Sequence, residues 1–158
     1  MNILIVGPSW VGDMVMAQTL FVCLKQEHGD DCQIDVLAPD WSRPILERMP
    51  QVRQALSFPL GHGVLELKTR RKIGKSLAGQ YDQAILLPNS LKSALVPFFA
   101  GIPVRTGWKG EMRYGLLNDV RILDKERYPL MIERFMALAY EPGAELVKPY
   151  PQPLLQID

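Results

Sequence analysis

The residue best placed to do chemistry in this sequence is an aspartate. Asp13 closes the stretch Gly7-Pro-Ser-Trp-Val-Gly-Asp13, which follows four aliphatic residues and precedes a helical pattern. In open α/β sheets a loop of this kind, at the carboxyl end of a strand, is where ligands sit. Asp13 would stand at the mouth of that ligand crevice. Asp is equally a favoured helix N-cap, so a purely structural use competes. A dinucleotide fingerprint is a poorer fit, because the loop lacks the second glycine that lets a pyrophosphate approach.

Other titratable groups are less pointed. His62, between Gly61 and Gly63, has the chemistry of a catalytic base but no visible partner. Asp40 stands where a dinucleotide enzyme would hold a ribose; without the fingerprint it reads as a turn or cap residue. Cys23 and Cys32 have no metal-ligand spacing and read as reduced thiols, and no metal ligands are assigned.

Charge is the second signal. The net charge of +1 conceals a division: residues 1–66 carry four basic and eight acidic side chains, residues 67–121 ten and three, and residues 122–158 four and six. A basic middle third is suited to an anionic ligand. Lys68, Arg70, Arg71, Lys72 and Lys75 crowd one helical stretch, where like charges three or four apart destabilise an isolated helix. An anion outside the helix would offset that repulsion, although a solvated face is the plainer explanation. Lys92 falls in the first turn of another helical stretch, against the helix dipole. Nucleic acid is not expected, since aromatic interleaving is missing and the overall charge is near zero.

The elements that must position these groups alternate. Residues 3–6 read as a strand buried on both faces. Met14, Ala17, Leu20, Phe21 and Leu24 then form a helical face, with Gly29 as its stop. Strands are expected at 33–37, 55–58, 81–87 and 102–106. Helices are expected at 41–49, 64–78, 91–100 and 131–140, with Pro97 kinking or shortening the third. The tail after Glu141 is proline-rich and reads as a linker. At 158 residues and 47% apolar, one domain with an ample core is expected. The fold class is α/β, a Rossmann-like parallel sheet flanked by helices. No apolar run approaches the ~18 residues that span a bilayer, and no secretory leader is evident. These features point to a cytoplasmic protein.

Four stretches taken together are distinctive: Gly7-Pro-Ser-Trp-Val-Gly-Asp13, Pro88-Asn-Ser-Leu-Lys-Ser93, Phe98-Phe-Ala-Gly-Ile-Pro-Val-Arg-Thr-Gly-Trp108 and Gly110-Glu-Met-Arg-Tyr-Gly-Leu-Leu-Asn-Asp119. They resemble the N-terminal half of bacterial ADP-heptose–lipopolysaccharide heptosyltransferases, inverting enzymes of the GT-B arrangement, and the resemblance runs along nearly all of the chain. It implies that residues 1–158 are the N-terminal, acceptor-binding Rossmann-like domain, with the donor-binding domain absent. The implied reaction moves L-glycero-D-manno-heptose from ADP-heptose to the first heptose of the lipopolysaccharide inner core, with Asp13 as base. Ser9, Trp10, Asn89 and Ser90, with the cations Arg70, Arg71, Lys72, Lys92 and Arg113, are implied on the acceptor side. No cofactor is implied beyond the donor, which the absent domain would hold. The anionic, lipid-linked acceptor implies work at the cytoplasmic face of the inner membrane. The alternatives are the sister enzymes that act on Kdo-lipid A, a nucleotide-binding oxidoreductase, and a non-catalytic anion-binding module.

Overall fold

The computed structural model describes residues 1–8, 11–29, 31–57, 67–88, 92–109, 116–142, 144–146 and 150–151. The chain runs β1 (Asn2–Val6), α1 (Val11–His28), β2 (Gln33–Ala38), a 3-10 turn (Asp40–Ser42), α2 (Arg43–Glu47), β3 (Val52–Ser57) and α3 (Leu67–Ser76). It continues through β4 (Gln83–Leu86), a second 3-10 turn (Lys92–Ala94), α4 (Leu95–Phe99), β5 (Val104–Trp108), β6 (Asp119–Arg121) and α5 (Met131–Ala137).

The six strands form one sheet in the order β3-β2-β1-β4-β5-β6, with every neighbouring pair parallel. Central β1 explains the unbroken aliphatic run. Ile3 and Ile5 face one layer of helices and Leu4 and Val6 face the other, so both faces need apolar side chains. On the first side α1 packs against α5; on the second α3 packs against α4. The expected α1 face is fully inside: Met14, Ala17, Leu20, Phe21 and Leu24 are all buried. Removing the larger of these side chains from water contributes roughly 1.5–3 kcal/mol each. Gly29 ends α1 at φ +87°, a left-handed conformation natural to glycine, and its N–H donates to the Lys25 carbonyl. Among the described residues no helix is long and apolar enough to cross a membrane.

The sequence expectations fail where long-range pairing decides. β5 lies at 104–108 rather than 102–106. Gly101 at φ +65° turns the chain, the Ile102 N–H is spent on the Pro97 carbonyl, and Pro103 has no N–H to give. β6 was not expected; three mixed residues become a strand only by pairing with β5. The helices expected at 41–49 and 91–100 are each a 3-10 turn followed by a five-residue helix. Pro97 sits in the first turn of α4, where its missing N–H breaks no helical bond. The tail is not a free linker where it is described. Tyr128 donates to the Ala144 carbonyl, Tyr150 to Glu133, and Thr19 of α1 to the Pro151 carbonyl, while Leu146 packs on the core.

Candidate functional site

The strand order reverses direction at β1 and β4, the point where open α/β sheets form a ligand crevice beyond the carboxyl ends of their strands. Val6 and Leu86 are register partners, so the segments that follow β1 and β4 leave the sheet side by side. The Leu87 N–H donates to the Val6 carbonyl, which holds these two exits together.

Asp13 stands at this end of the sheet, half-buried, as the third residue of α1. It is therefore not the N-cap that local sequence allows. The helix already begins at Val11, so Asp13 lies inside the first turn, where the helix dipole favours a carboxylate. Gly7 follows the end of β1 and stays tied to β2. The Gly7 N–H donates to the Leu37 carbonyl at 2.9 Å. A Cβ on Gly7 would meet Met14 Cε at 3.0 Å and Val36 Cγ1 at 3.2 Å. With no side chain of its own, Gly7 leaves room for the terminal methyl of Met14 against Val36 and Ala38 of β2.

The other expected site residues divide. Ser9, Trp10, Asn89, Ser90 and Arg113 lie outside the described residues, as does His62. Lys92 opens the 3-10 turn that follows β4, and nothing further is described of its side chain. On α3 the expected basic trio separates: Arg70 is buried at 5% exposure, whereas Arg71 and Lys72 are exposed. Arg70 is on the side of α3 that meets α4 and has a partner of its own. Lys68 and Lys75 are exposed with Arg71 and Lys72.

Two polar networks were not anticipated. Asp35, fully buried in the middle of β2, accepts from Arg53 Nε at 2.9 Å and Nη2 at 2.6 Å, from Gln54 Nε2 at 2.9 Å and from the Tyr81 hydroxyl at 2.6 Å. Burial pushes its pKa up, but these hydrogen bonds and the Arg53 charge outweigh burial and hold it below the ordinary value. A lone acid inside the apolar run Gln33-Ile-Asp-Val-Leu-Ala38 was the available signal. Asp35 is three residues short of the strand's carboxyl end, and its role is structural. In the second network Gln83 donates to Thr106, Thr106 to Asp119, and Arg121 to Asp119 at both carboxylate oxygens. Arg121 reaches on to the Ala137 and Tyr140 carbonyls at the end of α5, where a cation suits the helix dipole.

A polar cavity of about 440 Å³ opens beside α5, lined by Arg127, Tyr128, Glu133, Glu145, Leu146 and Tyr150. None of the expected site residues that are described lines it. Among the described residues no three His, Cys, Asp or Glu side chains converge as a metal site.

The family model "Glycosyltransferase family 9 (heptosyltransferase)" matches residues 70–158. Lipopolysaccharide heptosyltransferase 2 of Escherichia coli (strain K12) is 61% identical over 157 residues, covering 98% of this chain and 45% of that protein. Lipooligosaccharide heptosyltransferase 2 of Haemophilus influenzae is 57% identical, covering 95% and 45%. The solved structure of E. coli ADP-heptose lps heptosyltransferase II aligns at TM-score 0.90 and 54% identity, over 100% of this chain and 47% of that one. An E. coli heptosyltransferase solved with ADP aligns at TM-score 0.74 and 20% identity over 97% of this chain and 50% of that one, a likeness of fold. The chain spans about half the length of the curated relatives it matches.

Proposed function

The chain belongs to glycosyltransferase family 9, the heptosyltransferases, and from that premise we propose that it supplies the acceptor side and the catalytic base of a heptosyltransferase II. The proposed reaction transfers L-glycero-D-manno-heptose from ADP-heptose to the first heptose of the lipopolysaccharide inner core. The sister activity on Kdo-lipid A is the weaker reading. Identity is 56–61% to the proteins named heptosyltransferase 2.

One observation carries the chemistry. Asp13 stands in the first turn of α1 at the end of β1, beside the reversal of strand order. In the proposed step the acceptor hydroxyl oxygen attacks the anomeric carbon of the donor, forming the new glycosidic C–O bond. The bond from that carbon to the ADP oxygen breaks, and ADP leaves with the electron pair. Asp13 takes the hydroxyl proton as attack proceeds, since a carboxylate is too weak a base to remove it beforehand. Attack from the face opposite ADP inverts the anomeric centre. Donors from the C-terminal half of the enzyme would bind ADP-heptose and stabilise the departing diphosphate. No cofactor beyond this donor enters the proposal.

The acceptor is proposed to be anionic and lipid-linked, met at the cytoplasmic face of the inner membrane. Exposed Arg71 and Lys72 suit its phosphate and carboxylate groups, and arginine can bind them bidentately. Ser9, Trp10, Asn89, Ser90, Lys92 and Arg113 remain proposed on this side from the sequence resemblance. Arg70, being buried, would act by supporting α3 rather than by touching the acceptor.

The test is a chimera in which this chain replaces the matching half of the E. coli relative. Mass spectrometry should show one heptose added to an acceptor that already carries the first heptose. Transfer only to an acceptor without heptose would establish the sister activity instead, and transfer to neither would overturn the proposal.

A further inference from the structure

The sequence of α3, Leu67-Lys-Thr-Arg-Arg-Lys-Ile-Gly-Lys-Ser76, has no acidic residue. Its exposed cations Lys68, Arg71, Lys72 and Lys75 fall at i, i+3, i+4 and i+7, which is a single helical face. The opposite face, with Arg70, Ile73 and Gly74, is turned inward. Gly74 pins that orientation. A Cβ there would stand 2.7 Å from the Val96 carbonyl oxygen and 2.7 Å from Phe99 Cβ, so α3 lies directly against the α4 backbone and cannot roll to hide its charges. Among the described residues, no ion pair joins any of the four cations to a carboxylate.

We propose that the outer face of α3 is an electrostatic platform for a bilayer surface of anionic phospholipid headgroups. Shape favours that partner over a single bound anion. Eight residues of helix, Lys68 to Lys75, carry the four charges along about 10 Å of a convex surface. A lone phosphate needs a concave set of donors, whereas a planar array of phosphates meets a convex cationic ridge along its whole length. The four stripe positions themselves carry no apolar side chain, so the contact stays at headgroup level and is strongly screened by salt. The platform rests on the proposed function for its purpose. The turn after α3 returns to the amino end of the sheet, where the Asp82 N–H donates to the Asn2 carbonyl. The start of α3 therefore points toward the crevice end, and a bilayer along α3 would present a lipid-linked acceptor to Asp13.

Each Lys or Arg near an anionic membrane strengthens binding about fivefold. The chain should co-sediment with vesicles of phosphatidylglycerol and phosphatidylcholine, not with phosphatidylcholine alone, and should be released at about 0.5 M salt, where screening is short-ranged. Lys68→Gln with Lys75→Gln alters two stripe residues that have no proposed acceptor contact. It should weaken this binding about 25-fold, fivefold for each charge, and leave the melting curve unchanged. Equal binding to both vesicle types, an undiminished double variant, or preference for duplex DNA at matched charge would each overturn the platform. The vesicles contain no saccharide, so this result is independent of the enzymatic proposal. Transfer by the chimera to a deacylated, water-soluble acceptor tests that proposal alone. Transfer without vesicle binding sinks the platform; vesicle binding without transfer sinks the enzymatic proposal and leaves the platform standing.

Discussion

Replacing Asp35 by Asn should destabilise the protein in a pH-dependent way. The carboxylate accepts four hydrogen bonds, two from Arg53 and one each from Gln54 and Tyr81, at 2.6–2.9 Å. An amide keeps one acceptor oxygen and points an NH₂ group at donors. Breaking a fully buried ion pair costs about 3–5 kcal/mol. Here Arg53 is 42% exposed and can turn to water, which removes the upper part of that range. Tyr81 cannot do so, because it is buried and would lose its acceptor. The expected loss is about 2–3 kcal/mol at pH 7, or roughly 4–12 °C in Tm for a chain of this size. The hydrogen bonds hold the folded pKa of Asp35 below its ordinary 3.8. Its contribution is therefore complete above the unfolded value and is lost as the pH falls through the lower folded one. Urea unfolding of both proteins at pH 7 should show the full difference, and the gap should narrow progressively below about pH 4. Equal stability at pH 7, or a gap that persists unchanged at pH 2, would refute the reasoning.

Three further outcomes are expected. In the chimera, Asp13→Asn should lower heptose transfer about 10²-fold or more while leaving Tm nearly unchanged; near-normal turnover by a folded variant would refute the assignment as base. Gly74→Ala should cost about 1–3 kcal/mol in urea unfolding, because the new methyl meets α4 backbone and not a flexible side-chain end. Arg71→Ala with Lys72→Ala should weaken binding of the core oligosaccharide and flatten its salt dependence, measured by calorimetry at low and high salt, since exposed ion contacts are screened; Arg70 is left in place because it is buried.

What could be read from the sequence was local. A run of four aliphatic residues, a three-four spacing of apolar side chains and a glycine stop specify β1, α1 and its end, since each signal lies within a few residues of what it determines. The same locality made Asp13 visible at a strand-to-helix junction. Whether it capped the helix or stood within it depended on where the first turn closed, and the structure starts that turn at Val11. Partnerships between distant segments were not legible. Asp35 draws its donors from 18, 19 and 46 residues away. β6 is a strand only because β5 lies beside it. Arg70 and Arg71 are consecutive and chemically alike, and helical periodicity puts them on different faces without saying which is inside. Contact with α4 decides that, since only the face carrying Gly74 can approach another helix backbone so closely.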